Sequence, residues 1–242
     1  RPTEQRFKIV VEAGAFPSDQ YAVETQARMN GFDPEEAIIE VVPRPGEQHL
    51  YTQDILDLID QHGDSIALVM LSGVQYYTGQ VFDIPQITAA AHKVGAYAGW
   101  DLAHAAGNIP LKLTEWNVDF AAWCSYKYLN SGPGSVSGVF IAEKHGTNPE
   151  FLRYAGWWGH QESSRFQMKK GYIPEPGAAG WQLSNAPIFT MAVHNASLEM
   201  FDQVGMDALH KKAVQLNQYL EQCIVEASQS NEHLDIKIIT PQ

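Results

Sequence analysis

Residues 65–72 read SIALVMLS, a stretch that is apolar from Ile66 to Leu71 and ends on Ser72. A continuous apolar run of this length is typical of a parallel strand covered on both faces, because a strand with one wet face would alternate. A helical pattern follows over residues 84–94, with Asp83 as its N-cap and Pro85 in its first turn. This order predicts βαβ units and therefore a largely parallel sheet.

The same alternation extends in both directions along the chain. Upstream, we predict helices over residues 17–31 and 52–63, the second with Thr52 as N-cap and Gly63 at its end. Further strands are predicted over residues 7–13, 37–42, 96–101, 118–125 and 135–142, and further helices over residues 189–201 and 206–224. The predicted fold class is α/β, a three-layer α/β/α arrangement around a mostly parallel central sheet.

Composition excludes several classes of function. The chain has 242 residues, a formal net charge of −12 and two cysteines, Cys124 and Cys223. A strongly acidic chain without a basic cluster repels nucleic acid and anionic lipid, so neither is expected as a partner. Two cysteines do not make a disulfide framework, and a reducing cytoplasm is the expected location. We predict no metal site.

Both ends of the sequence have the character of cuts through a longer protein. The chain begins RPTEQRF without a starting methionine and ends IKIITPQ. We therefore expect part of the active site to lie outside these residues.

Polar residues end three of the predicted strands. Ser72 ends the first, Asp101 ends residues 96–101, and Ser125, Tyr126 and Lys127 follow residues 118–124. Ligands of open α/β sheets bind beyond the carboxyl ends of the strands, so these side chains are candidates for a site. An aspartate and a lysine there admit two interpretations: a structural ion pair, or a pyridoxal phosphate site in which the lysine bonds the aldehyde and the carboxylate faces the ring nitrogen.

Two longer motifs favour the second interpretation. They are DLAHAAGNIPL at residues 101–111 and VDFAAWCSYKYLNSGPGSVSG at residues 118–138. Together they resemble the signature of fold-type I pyridoxal phosphate enzymes of the class V aminotransferase group. With AFPSDQYAVETQ, LSGVQYYTGQ, GWWGH and LSNAP, the whole chain is similar to the kynureninase family. That family hydrolyses L-kynurenine or 3-hydroxy-L-kynurenine to an anthranilate and L-alanine in tryptophan catabolism.

The resemblance implies roles for individual residues. Lys127 is the lysine that bonds the cofactor, Asp101 is the partner of its ring nitrogen, and Tyr126 contacts its phosphate and moves a proton. The implied cofactor-binding set is Phe16, Pro17, Ser18, Asp19, Ser72, Asp101, His104, Tyr126, Lys127, Trp157 and Asn185. Ser184 and Asn185 are implied to touch the aromatic end of the substrate.

The resemblance also implies an assembly and a domain plan. The family acts as a homodimer with its site at the subunit interface, and the segment that contains Trp157 and Asn185 reaches across it. Residues 1–188 are expected to form most of the large cofactor-binding domain, and residues 189–242 an interface helix and the start of a small domain. The substrate-carboxylate arginine is expected outside the chain, so these residues alone are expected to have little activity.

Other interpretations remain open from the sequence. A cysteine desulfurase or a class V aminotransferase would share Asp101 and Lys127 but not the reaction, although a desulfurase needs a cysteine on a mobile loop and Cys223 lies in a helical pattern. A non-catalytic dimerisation module is the third possibility. The joint presence of His104 and Tyr126 with the other two residues argues against it.

Overall fold

Six strands form one sheet in a computed structural model that describes residues 2–231, 233 and 236–241. The strands are β1 (Lys8–Glu12), β2 (Ile38–Val41), β3 (Ile66–Ser72), β4 (Tyr97–Asp101), β5 (Phe120–Cys124) and β6 (Ser137–Ile141). Their order across the sheet is β2-β1-β3-β4-β5-β6, and β6 alone pairs antiparallel with its neighbour. The predicted mostly parallel sheet is confirmed.

Helices alternate with the strands from β1 to β4, as the sequence predicts, and among the described residues no helix separates β4, β5 and β6. They are α1 (Pro17–Met29), α2 (Pro34–Ala37), α3 (Thr52–His62), α4 (Ile84–Lys93), α5 (Glu143–Gly146), α6 (Glu162–Arg165), α7 (Ile188–Val204) and α8 (Met206–Ser230). Short 3-10 turns occupy Gly63–Ser65, Trp157–Gly159 and Gly177–Trp181. Within the described part of the chain, none of the helices combines the length and the apolar character needed to cross a bilayer.

Strand β1 shows why the sheet is covered on both faces. Val10 points into the larger core, which the apolar sides of α3 and α4 complete with residues such as Ile55 and Ile87. Its neighbours Ile9 and Val11 point the other way and pack with Val23 of α1. Successive side chains of a strand alternate between faces, so an all-apolar strand needs a layer on each side. The predicted α/β/α layering is confirmed.

The helix ends follow the predictions in part. The Asp83 side chain accepts a hydrogen bond from the Gln86 backbone N–H and caps α4, as predicted. The prediction for Thr52 was wrong, since Tyr51 is the N-cap of α3 and Thr52 is already helical. A side-chain cap is therefore missing there, and Arg44 instead pairs with the first-turn Asp54 at 2.8 Å.

Helix α7 is attached to the loop that follows β5. Ser131 Oγ lies 2.7 Å from His194 Nδ1, and the Ser197 hydroxyl donates to the carbonyl of Leu129. The domain plan of residues 1–188 and 189–242 stays a prediction. Its outermost residues, 1 and 242, lie outside the described residues.

A buried carboxylate joins the elements at the amino end of the sheet. Asp119 precedes β5, is 1% exposed, and accepts hydrogen bonds from the Ala98 backbone N–H at 2.8 Å and from Lys144 Nζ at 2.7 Å. His92 and His145 each place Nε2 2.7 Å from the same carboxylate. Burial alone would raise the pKa of Asp119, but these hydrogen bonds, that of Lys144 first, lower it to about 2. One side chain thus ties β4 and β5 to α4 and α5.

Asp119→Asn is expected to lower the free energy of unfolding by roughly 3 kcal/mol, because the amide nitrogen would face buried donors. The folded pKa of about 2 lies below the ordinary value of 3.8, so the contribution of Asp119 is present above about pH 4 and is lost as the pH falls toward about 2. Urea unfolding at neutral and acid pH measures both effects. The control is Asp60→Asn, whose exposed carboxylate faces Lys93 and is worth less than about 0.5 kcal/mol. Equal losses in both variants would contradict the role of Asp119.

Candidate active site

A cavity of about 160 Å³ lies at the carboxyl ends of the parallel strands. Eight of the residues implied by the resemblance line it: Phe16, Ser18, Asp19, Ser72, Asp101, His104, Tyr126 and Lys127. Glu12, Val74, Tyr76, Ala103 and Cys124 complete the lining. Ligand sites usually enclose about 300–1,000 Å³, so this chain provides a part of such a site.

Strand pairing places Asp101 in the cavity. Asp101 ends β4 opposite Ser72 of β3 in the parallel register, so both side chains emerge at the same edge. The carboxylate Oδ1 accepts the Ala103 backbone N–H at 2.8 Å, a turn that fixes the side chain over the strand end. The backbone carbonyl of Asp101 accepts the N–H of Gly73 at 2.7 Å. Asp101 is therefore fixed at two points. The turn that follows it holds its carboxylate, and Gly73, which follows the neighbouring strand β3, holds its backbone carbonyl.

A closed loop after β5 presents Lys127. Ser125 is fully buried, its hydroxyl donates to the Val136 carbonyl, and its own carbonyl accepts the Ser131 N–H at 3.0 Å. The carbonyl of Lys127 accepts the Asn130 N–H at 3.2 Å. These bonds close the segment at its base, so the lysine projects from a fixed backbone.

The loop after Asp101 packs directly against the loop after Lys127. Gly107 has φ of 79°, and a Cβ there would lie 2.9 Å from Leu129 Cδ2 and 3.0 Å from the Tyr128 carbonyl carbon. Only glycine accepts that backbone conformation without strain, and only glycine leaves room for the neighbouring loop. Gly107 therefore allows the loops that follow Asp101 and Lys127 to pack together.

Aromatic rings surround the lysine amine. Lys127 Nζ lies 5.8 Å from the ring centroid of Phe16 and 5.6 Å from that of Tyr126. Phe16 is 46% exposed on the cavity side, and Tyr76 supports its ring edge-on at 5.3 Å. Sequence reasoning missed Tyr76, because its loop carries two adjacent tyrosines and nothing in the pattern tells which one faces the site.

His104 lies against Tyr128 on the side of the lysine loop. Their ring centroids are 5.9 Å apart in an edge-on arrangement, which gives a contact to a tyrosine that had no predicted role. Burial first, and then the charge of Lys127, lower the pKa of His104, while Asp101 opposes the shift. The imidazole is therefore held in its neutral form at neutral pH.

Three carboxyl groups converge on the same edge. The carboxyl groups of Asp19 and Asp101 line the same cavity and lie close enough for the charge of Asp101 to act on Asp19. Burial first, and then the charge of Asp101, raise the pKa of Asp19 to about 7. Burial likewise raises the pKa of Glu12, and the hydrogen bond from Ser72 offsets part of that rise. Carboxyl groups with perturbed pKa values in one cleft are typical of a functional site.

The remaining implied residues lie elsewhere in this chain. Trp157 lines a separate cavity with Arg165, Ser184 hydrogen-bonds to the side chain of Asn185, and Pro17 opens α1 next to Phe16. Their roles stay predictions. Arg165 stacks on Trp158 at 4.3 Å and donates to the carbonyl of Trp158 at 2.7 Å, so its contacts hold the local fold.

The sequence matches known proteins over its whole length. A model of the family described as aminotransferase class-V matches residues 32–234. The chain is 53% identical over 241 residues to a kynureninase of Flavobacterium johnsoniae, covering 100% of this chain and 56% of that protein. It is 52% identical to a kynureninase of Nematostella vectensis, covering 100% of this chain and 53% of that protein. The chain therefore spans about half the length of the curated relatives that it matches.

Solved structures show the same fold at low identity. A variant of C-DES with glycine covalently linked to its PLP cofactor superposes with a TM-score of 0.73 at 19% identity, over 91% of this chain and 56% of that one. A cysteine desulfurase from Thermococcus onnurineus gives a TM-score of 0.65 at 15% identity, over 92% of this chain and 52% of that one. These likenesses establish the fold alone.

Asp19→Asn is expected to stabilise the cofactor-free protein at alkaline pH. The folded pKa of about 7 lies above the ordinary value of 3.8, so the stability contributed by Asp19 is present below about pH 4 and is lost as the pH rises through about 7. The variant lacks that loss and should exceed the wild type by on the order of 1 kcal/mol at about pH 8, after allowance for solvent screening.

Urea unfolding at acid and alkaline pH measures the difference. Asp64→Asn, at an exposed position, serves as the matched control and should change stability equally at both pH values. A pH-independent effect of Asp19→Asn would show that the pKa of Asp19 is not raised in the folded protein.

Proposed function

The chain belongs to the kynureninases within the aminotransferase class-V family, and from that premise we propose that its site serves the pyridoxal phosphate-dependent hydrolysis of L-kynurenine, 3-hydroxy-L-kynurenine or both. The products are anthranilate or 3-hydroxyanthranilate and L-alanine. The observation that carries the proposal is the joint placement of Lys127 and Asp101 in one cavity at the carboxyl ends of β4 and β5.

The residues present fit this cofactor by their chemistry. The cavity offers an amine, a carboxylate and an aromatic ring, from Lys127, Asp101 and Phe16. The amine can bond to the aldehyde of the cofactor, and the carboxylate can pair with its protonated ring nitrogen. The aromatic ring can stack on its flat heterocycle. The raised pKa of Asp19 supports the proposal as well, because a cation bound beside Asp19 and Asp101 would offset the repulsion between them.

When bound, pyridoxal phosphate supplies an electron sink for the negative charge that develops on the substrate Cα. Lys127 would hold the aldehyde carbon through its Nζ, and the same amine, when free, would be the base for the α-proton of the substrate. Asp101 would hold the protonated ring nitrogen. The ring of Phe16 would exclude water from the cofactor.

Tyr126 is the group assigned to the second half of the reaction. Water adds to the γ-carbonyl of the substrate, and the Cβ–Cγ bond breaks to release the anthranilate. A proton must then reach Cβ to form the methyl group of alanine. Tyr126 is half-exposed in the cavity and lies beside the lysine amine, so it can pass a proton between Lys127 and the substrate.

We further propose a homodimer that shares its sites between subunits. Helix α7 exposes Ile188 at 79% and Phe189 at 88%, an apolar surface suited to a second copy of the chain. Trp157 and Asn185 do not line the cavity of their own chain, which fits a role in the site of the partner. A cytoplasmic location is proposed from the two free thiols.

Lys127→Ala in the full-length protein is expected to abolish the covalent attachment of pyridoxal phosphate, because no other amine lines the described cavity. Borohydride reduction followed by peptide mass analysis locates the attachment. Lys112→Ala removes an exposed lysine that pairs with Glu115 and should leave the attachment intact. A wild-type protein that gains no borohydride-reducible attachment would refute the proposed cofactor.

The two substrates are distinguished in the same preparation. L-kynurenine and 3-hydroxy-L-kynurenine are supplied separately, and the fluorescence of the anthranilate product is followed. Attachment of the cofactor without product from either substrate would refute the proposed reaction but keep the cofactor, as expected of another class V enzyme.

Tyr126→Phe is expected to retain the attachment and to lower kcat by about 10²-fold or more, since general acid–base groups contribute about 10²–10⁴-fold. Steady-state kinetics measure the loss. Tyr154→Phe, at a tyrosine that is 71% exposed, is the matched control and should leave kcat unchanged. A kcat for Tyr126→Phe within about twofold of wild type would remove Tyr126 from the proton path.

A further inference from the structure

Glu12 is a buried carboxyl group that the proposed reaction does not use. It ends β1, is 3% exposed and lines the same cavity as Lys127. A carboxylate is almost never buried to this degree without hydrogen-bond partners, because its desolvation is costly. Because Glu12 lines the candidate site, its hydrogen-bond partners affect what the site can bind.

A single residue on the next strand supplies those partners. Ser72 Oγ donates to Glu12 Oε1 at 2.6 Å, and the Ser72 backbone N–H donates to Glu12 Oε2 at 3.2 Å. The two bonds hold the serine by both of its polar hydrogens. A bond of 2.6 Å to a carboxylate is of the short, charge-assisted kind.

This arrangement determines what Ser72 offers to a ligand. A hydroxyl has one proton and two lone pairs, and the proton of Ser72 is committed to Glu12. The oxygen can then only accept. Without Glu12, the hydroxyl proton would turn to the nearest alternative acceptor, and the register places the carboxylate of Asp101 beside it on β4. The Ser72 hydroxyl would then occupy one of the acceptor positions of the Asp101 carboxylate that a ligand could otherwise use.

We propose that Glu12 is a positioning residue that acts through Ser72: it holds the serine proton away from Asp101 and thereby strengthens the grip of the site on a protonated ring nitrogen. The inference rests on the proposed function, since the ring nitrogen is that of pyridoxal phosphate.

The charged groups around Glu12 agree with this role. Asp19, Asp101, Lys127 and His104 line the same cavity as Glu12, and Glu47 and His49 line a second cavity that Glu12 also borders. Burial raises the pKa of Glu12, and the charge of Asp101 adds to that rise. A cation held by Asp101 relieves this repulsion, so ligand binding and the ionised form of Glu12 support one another.

The test measures cofactor binding by full-length protein in the absence of any substrate. Glu12→Gln is expected to raise the Kd for pyridoxal phosphate about tenfold, in line with one hydrogen bond to a charged group. In the Ser72→Ala background, which has no serine proton to hold, the same substitution should raise the Kd no further. Glu40→Gln, at an exposed position on β2, is the matched control and should bind like the wild type.

A second readout separates positioning from a structural role. The 15N chemical shift of the ring nitrogen is measured with isotope-labelled pyridoxal phosphate, and it should move toward the value of the neutral ring in Glu12→Gln, because the protonated ring is held less firmly. A lower melting temperature with unchanged Kd and unchanged chemical shift would overturn the inference, and so would a loss from Glu12→Gln that persists in the Ser72→Ala background.

The outcomes also separate this inference from the proposed function. Failure of the wild type to bind pyridoxal phosphate refutes both. Normal binding by the wild type, with a loss from Glu12→Gln that persists in the Ser72→Ala background, refutes only the role of Glu12. Where Glu12→Gln does not fold, Glu12→Asp, with a side chain shorter by one methylene, replaces it in the same comparison.

Discussion

The site depends on the parallel pairing of β3 with β4 and of β4 with β5. The register sets Ser72 opposite Asp101 and Asp101 opposite Ala122, so that the chain segments that follow all emerge at one edge. Lys127 follows Ala122 by five residues, beyond the end of β5 at Cys124, and lies at the same edge. Because backbone hydrogen bonds fix this register, a slip of one residue would turn every one of these side chains to the other face of the sheet.

Carboxyl groups at the two ends of the sheet have pKa values that are shifted in opposite directions. At the amino end, the Asp119 carboxylate is surrounded by donors, and its pKa falls to about 2. At the carboxyl end, burial and then the charge of Asp101 raise the pKa of Asp19 to about 7. The first arrangement stabilises the fold over the ordinary pH range. The second lowers the stability of the ligand-free protein as the pH rises, and it favours the binding of a cation. Functional sites commonly reduce stability in this way.

Much of the fold was predictable because strand and helix periods are local properties. The apolar run that ends on Ser72 and the cap at Asp83 each reveal their structure within a few residues of sequence. Thr52 was misjudged for the same reason. Threonine is a good N-cap in isolation, but the chain enters α3 one residue earlier, at Tyr51, whose ring lies over the guanidinium of Arg44 at 4.0 Å.

Residues of the candidate site could be predicted from the sequence only where they belong to a recognisable motif. The sequence by itself determined the alternation that yields a parallel sheet and the placing of Asp101 and Lys127 at strand ends, since both follow from local patterning. The bonds of Glu12 to Ser72, 60 positions apart, and the contact of Tyr128 with His104 were decided only by the tertiary structure. Such pairs join residues from different strands or loops, and no period along a single segment encodes which of them will meet when the sheet closes.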